Sequence, residues 1–287
     1  MKRRSRSPRA CFSLLVAGAA LLVIATFSSP VAAQSPWMAR DGQHTLMLEF
    51  LRPSLEGINS EVFSGVFALS GRGAVSSRVS VVGELPFVRH ESTLEDPFFP
   101  EEFSSNTIGN PYAGVELQLA SGPAFLEFGV RPPLAADDEP AATLTGIVSD
   151  LTRWEAFFPD AFSIVGAFNI REVTPSKIAY RLRVSPALVI PTDNSSGDET
   201  TLFAVYSFQI GYHGSIARVG AGMSGRSEVT QEFTGSGNIG ARSFSQFELH
   251  ADFLPGQVRP GLDLRVPLGE LGTVVSMVFG ASITWTR

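Results

Sequence analysis

The chain has 287 residues, 44% hydrophobic and 17% charged, with 27 Gly, 19 Pro and a formal net charge of −6. That composition excludes a coiled coil, a collagen and an acidic disordered chain, and the mean hydropathy of +0.15 lies between water-soluble proteins and bundles of membrane helices. Without residues 1–33 the balance is 17 basic against 28 acidic residues, a net of −11, which argues against nucleic acid, whose phosphates need a basic face.

Lys2, Arg3, Arg4, Arg6 and Arg9 open the chain, and Cys11 to Thr26 is an apolar run of 16 residues. Val31 and Ala33 then stand at the −3 and −1 positions of a small-residue cleavage site. Together these describe a secretory signal peptide over 1–33. The run is shorter than the ~20 residues of a spanning helix, and no lipobox surrounds Cys11. The expectation is one exported domain, 34–287, with no cysteine and so no disulfide.

After Gln34 no run of 18 apolar residues occurs, and the pattern is alternation. Side chains two apart share a face of a strand. Alternation marks strands at 45–52, 62–71, 78–89, 110–119, 124–133, 161–172, 177–190, 202–212, 216–228, 241–253, 258–266 and 273–286. At 177–190, Ile178, Tyr180, Leu182, Val184 and Leu188 oppose Lys177, Arg181, Arg183 and Ser185. At 273–286, Val275, Met277, Phe279, Ala281, Ile283 and Trp285 form the apolar face. Most of these segments exceed the ~5–6 residues usual in a soluble strand and suit the ~9–11 of a membrane-spanning one.

Short connections near 72–77, 120–123, 173–176, 213–215 and 254–257 alternate with long ones at 53–61, 91–108, 134–160, 191–200, 229–240 and 267–272. This predicts an all-β, antiparallel transmembrane β-barrel of about 12 strands, with short periplasmic turns, longer extracellular loops and both termini on the short-turn side. A soluble periplasmic β-protein is the alternative, and it fits the one-sided charge badly. The long connections hold 18 of the 28 acids and one base, Arg153. Eight further acids (Glu49, Glu84 and Glu127 among them) and about ten bases (Arg131, Lys177 and Arg226 among them) fall on inward faces. The candidate lumen lining is Glu116, Arg181, Arg183, Arg242, Glu248, His250, Asp252, Arg259 and Arg265.

Segment 141–158 alternates poorly and carries a helical stripe: Leu144, Ile147, Val148, Leu151, Trp154, Phe157 and Phe158. The simpler reading is a surface helix on the barrel rim. The sharper one is a loop element folded into the mouth or lumen as a constriction.

The stretch Ile108-Gly-Asn-Pro-Tyr112-Ala-Gly-Val-Glu116-Leu, preceded by Glu84-Leu-Pro-Phe-Val-Arg89, resembles the IGNPYLGLE-type signature and E-L-P-Y-V-R-type strand end of a bacterial outer-membrane transporter-like barrel family. That family is named for the MetA pathway of phenol degradation. The resemblance runs loosely over 45–287. It implies an outer-membrane barrel, passive uptake of small, aromatic or otherwise apolar molecules, and no catalytic residue. Locally, Pro111 suits a strand end because it lacks a donor, and Asn110 suits the turn into it. The ending Trp285-Thr286-Arg287 departs from the C-terminal aromatic that such barrels use in assembly.

Chemistry is sparse. Gly220-x-Gly222-x-x-Gly225 lies inside an expected strand and Gly235-x-Gly237-x-x-Gly240 inside a loop, so neither has the strand-to-helix context of a dinucleotide site. His213 and Ser215 share a short turn without a third group to orient them, which leaves a lipid hydrolase as a minor reading. His250, flanked by Glu248 and Asp252, suits a lumen hydrogen-bond network better than a metal site, and His44 and His90 stand alone. Acidic loops at 91–102 and Asp137-Asp138-Glu139 are solvated charge or a divalent-cation bridge to lipopolysaccharide. The leading expectation is a passive channel without cofactor or metal, in contact with outer-membrane lipid and lipopolysaccharide and taking small-molecule solutes. The alternative is a closed barrel with a structural or surface-interaction role.

Overall fold

The computed structural model describes residues 43–55, 59–60, 62–94, 101–119, 122–193, 199–230, 243–253 and 256–287. The expected signal peptide and Arg242 lie outside them, as does the glycine pattern at 235–240.

Fourteen strands make one antiparallel sheet. They are His44–Leu55 (β1), Asn59–Ser60 (β2), Gly65–Ala74 (β3), Val79–Leu94 (β4), Glu101–Ile108 (β5), Tyr112–Gln118 (β6) and Ala124–Arg131 (β7). Ala161–Val173 (β8), Ile178–Pro191 (β9), Thr201–His213 (β10), Ala217–Glu228 (β11), Ser243–Phe253 (β12), Val258–Leu268 (β13) and Val275–Thr286 (β14) follow. β14 pairs with β1 from Thr45/Thr286 upward, and β4 pairs with β6 from Val79/Leu117 to Glu84/Tyr112. The sheet therefore closes into a twelve-stranded ring in which β5 and β6 are two lengths of one wall strand. Below the level of Glu84/Tyr112 the closed ring leaves no exposed sheet edge among the described residues, and hydrocarbon tolerates none.

The alternation is real and its sense is apolar outward. Leu48, Phe128, Phe208, Leu262, Phe279 and Ile283 are each close to half exposed on the outer face. Their sequence neighbours Glu49, Glu127, Gln209, Asp263 and Thr284 are buried inside. Among the described residues the short turns lie on one side together with the two ends of the barrel, where His44 and Arg287 exchange backbone hydrogen bonds of 2.9 Å.

Four expectations need correction. First, 91–108 is not all loop: β4 runs on to Leu94 and pairs with β5, Phe87 opposite Ile108. This extension presents polar side chains to both of its faces, so it carries no alternation to read. Second, Val275 is not on the outer face. A register shift at Ser54/Leu55 turns it inward, where it is fully buried. A bulge that places two residues against one inverts facing in this way. Third, Lys177 occupies the β8–β9 turn with φ of 66° and is exposed, not inward. Fourth, the helical segment forms α1 (Pro140–Ser149) and a 3-10 turn (Trp154–Ala156), and it is not on the rim. Ala142, Val148, Ala156 and Phe157 pack against the inward side chains Leu51, Val66, Val88, Val275 and Val278. Burial of Val148 and of Phe157 is worth about 1.5–3 kcal/mol each, which a position on the outer rim would forgo. Leu144 alone of the expected stripe is largely exposed.

Candidate functional site

The long β7–β8 connection folds into the barrel and fills its centre. It leaves β7 where Pro132 and Pro133 have no N–H to give a neighbouring strand. It then passes Asn110, a fully buried residue. The Asn110 Oδ1 accepts from the backbone N–H of Leu134 (2.7 Å) and Ala135 (2.8 Å). Its Nδ2 donates to the carbonyls of Glu155 (3.0 Å) and Phe158 (2.7 Å), and its own N–H to the carbonyl of Ala156 (2.6 Å). One side chain thus ties the start of the loop to its end. Gly109 beside it is required by closeness: a Cβ there would stand 2.4 Å from the Ala156 carbonyl oxygen. Gly146 is required in the same way, because a Cβ would meet the Phe157 ring at 2.4 Å. The sequence motif that spans β5 and β6 is therefore a clamp on the inward loop.

Charge completes the lock. Arg153 donates to Glu49 on β1 (2.6 Å), to Glu84 on β4 and to Asp150 on its own loop. Arg265 on β13 donates to the same Glu49 (2.8 Å) and the same Asp150 (3.0 Å). Glu84 also accepts from Arg131 (2.7 Å), and Glu155 faces Arg131 (3.7 Å) and Arg226 (3.2 Å). Four arginines and four carboxylates, all at most 4% exposed at their side chains, make one continuous network. Three members come from the loop and five from the wall. Trp154 adds an apolar contact: its ring lies 4.6 Å from that of Phe244, and the Arg226 guanidinium sits 4.8 Å above it. Burial pushes the Asp150 carboxyl up, but the Arg153 and Arg265 guanidiniums outweigh it and hold the pKa well below the ordinary carboxylate value. Burial lowers Arg153 and its three carboxylates raise it, with a net shift upward.

The residues expected in the lumen divide into two groups. Arg265 belongs to the lock. Arg242 lies outside the described residues, and the other seven lie on inward strand positions. Glu116 accepts from Arg72 (2.9 Å), and Arg183 donates to Glu127 (2.6 Å) and Asn169 (3.2 Å). Glu248 accepts from Ser224 and Gln246, and His250 stands between Asp263 (3.0 Å) and Asp252 (3.1 Å). Arg181 is buried opposite Arg171, and Arg259 is half-buried opposite Thr284. Sequence reasoning missed Asp150, Arg153 and Glu155 as site residues. The available signal was Arg153, the one base in six long acidic connections. Cavities beside the loop are small: about 30 Å³ between Arg153 and the β8–β11 wall, and about 60 Å³ toward the short-turn end. Each has room for a few waters at most.

No family model matches this chain, and no curated protein does. A crystal structure of an outer membrane channel from Pseudomonas putida F1 superposes with a TM-score of 0.56 at 11% identity, covering 88% of this chain and 98% of that one. The CymD monoaromatic hydrocarbon channel gives 0.47 at 11% identity, over 87% of this chain and 89% of that one. The NanC porin gives 0.44 at 8% identity, over 84% and 100%. The chain is thus a closed antiparallel twelve-stranded β-barrel, and it shares that fold with a bacterial outer membrane channel.

Proposed function

We propose that the protein is a passive outer-membrane channel for small apolar or aromatic molecules, as its resemblance to the barrels named for the MetA pathway suggests. The observation that carries this reading is a step in the wall beside the inward loop. The β6–β7 ladder stops at Ala113/Val130, and the ladder on to β8 stops at Arg131/Ser163. Above that level β5 pairs with β4 and with no strand on its other side among the described residues. Pro111, Pro132 and Pro133 account for the stop. On the outer face just below lies an apolar groove of Phe128, Val130, Ile164, Pro186 and Leu188.

A lumen held by buried ion pairs is a poor axial path for apolar solutes. A sideways path from the extracellular end through the step into lipid resolves that conflict, with the charged lining limiting polar traffic. Passage of a small aromatic hydrocarbon into vesicles with a lipopolysaccharide outer leaflet tests it. Passage well above that of protein-free vesicles supports the channel. Equal rates favour the second reading, a closed barrel with a structural role, for which the filled centre speaks.

A further inference from the structure

The outer face carries two arginines toward its extracellular end. Among the described residues, Arg52 of β1 and Arg89 of β4 are the arginines on outward strand positions. The register that pairs Leu51 with Val66 sets Gly65 beside Arg52, and Gly65 pairs with Arg89. Gly65 admits no side chain, because a Cβ there would stand 2.2 Å from the Leu51 carbonyl oxygen. A gap one residue wide therefore separates the two arginines. Two positions nearer the membrane centre, Phe50, Phe67 and Phe87 form a row, with successive ring centroids 4.5 and 6.3 Å apart. On β4 the outward positions run from Val79 to Phe87, about 26 Å along the strand and about 20 Å along the membrane normal at the usual tilt. Arg89 thus falls where the ~25 Å apolar band of a barrel gives way to headgroups. Arg52 also borders an apolar groove of about 650 Å³ on the outer face. Phe50, Leu249, Leu262, Leu264 and Phe279 surround the small outward residues Ala251 and Ala281 in it. His250 and Asp263 border the groove too, but their side chains meet each other inside the barrel at 3.0 Å.

We propose that this face binds the lipid A portion of lipopolysaccharide. A phosphate accepts from the Arg52 and Arg89 guanidiniums across the gap at Gly65, and an acyl chain lies in the groove that Arg52 borders. Both arginines have contacts within the chain: Arg89 holds Glu91 (2.6 Å), and Arg52 is engaged as well. The site rests on their position and not on unpaired charge. A guanidinium has five N–H donors, and Glu91, two positions farther out on the water side, takes one at Nη2 of Arg89. Arginine meets phosphate through its remaining edge in a charge-assisted pair. A second copy packed here about a two-fold axis would set these arginines against their own equivalents, so charge favours an anionic lipid. The inference does not depend on conduction: a silent barrel keeps this site.

Native mass spectrometry of the full chain, folded in detergent and titrated with lipid A, tests the site, with the same lipid stripped of its phosphates as the neutral match. Saturable binding of lipid A is expected. It should be about tenfold weaker for the dephosphorylated lipid and for Arg52→Gln, the worth of one hydrogen bond to a charged group. Ala281→Phe fills the groove from an outward position and leaves the inner packing alone, so it should weaken lipid A severalfold in a barrel that still folds. No saturable binding, equal binding of the two lipids, or parental affinity in both variants would overturn the proposal. A dimer that Ala281→Phe dissociates would overturn it too, because a second copy would then occupy the groove.

Discussion

Arg153, at the tip of the inward loop, donates a 2.6 Å hydrogen bond to Glu49 on the first wall strand, across 104 residues of sequence. Arg265 reaches the same carboxylate from the opposite neighbour of β14 and the same Asp150 from the loop. Two arginines thus bridge one pair of acids in a closed cycle, half of it loop and half of it wall. Removing one partner of such a buried set leaves the others charged and uncompensated, which costs about 3–5 kcal/mol. Arg153→Ala should therefore lower the stability of the folded barrel by about that much in urea titrations from lipid vesicles. An unchanged midpoint would mean that the network contributes nothing to holding the loop.

Asn110 makes five hydrogen bonds to the loop's backbone through its side chain and its own N–H. Asn110→Ala removes four and strands buried backbone groups, each worth about 1 kcal/mol. Amide hydrogen exchange over 134–158 should accelerate strongly in this variant while the β9–β13 wall stays protected. Uniform acceleration of both would show a wall residue rather than a clamp.

Gly109→Ala is a smaller chemical change with a steric cause. Its methyl would lie 2.4 Å from the Ala156 carbonyl oxygen, a backbone atom with little freedom to move. Limited proteolysis should cut within 150–158 far faster than in the parent chain. Parental resistance would mean that the loop can shift without leaving the barrel.

The lock should also be acid-sensitive in a defined direction. The Asp150 carboxyl is held well below its ordinary 3.8 by Arg153 and Arg265 against burial. A depressed folded value stabilises the folded state above 3.8, and that contribution is lost as pH falls below it toward the folded value. Loop protection should therefore be constant from pH 7 to about pH 5 and weaken below about pH 4. Asp150→Asn should show weakened protection at every pH and a flatter acid response. A parent chain that loosens near pH 6 would place the sensitive group elsewhere.

The barrel was legible because its rule is local. Leu46, Leu48 and Phe50 outside, against Thr45, Met47 and Glu49 inside, follow from a period of two and need no distant partner. The inward charges of Glu116, Arg183, Glu248 and His250 were read from the same period. The loop was not legible on those terms. Asp150, Arg153 and Glu155 sit among acids that look like solvated loop charge, and their wall partners lie on five separate strands, β1, β4, β7, β11 and β13. Asn110 reads as an ordinary turn residue, since its side-chain bonds all go to backbone that any sequence would supply. The β4–β5 extension escaped for the opposite reason: polar on both faces, it has no period to detect.

The central claim is that the β7–β8 loop closes this barrel and that its charge lock keeps it closed. Single-channel current through the refolded full chain in a planar bilayer, compared with a variant in which 137–158 is replaced by a short Gly/Ser linker, tests it most directly. The account predicts small or absent steps in the parent chain and large, stable steps in the variant, with Arg153→Ala intermediate. Identical conductance in parent and loop-replaced barrels, both folded, would contradict it.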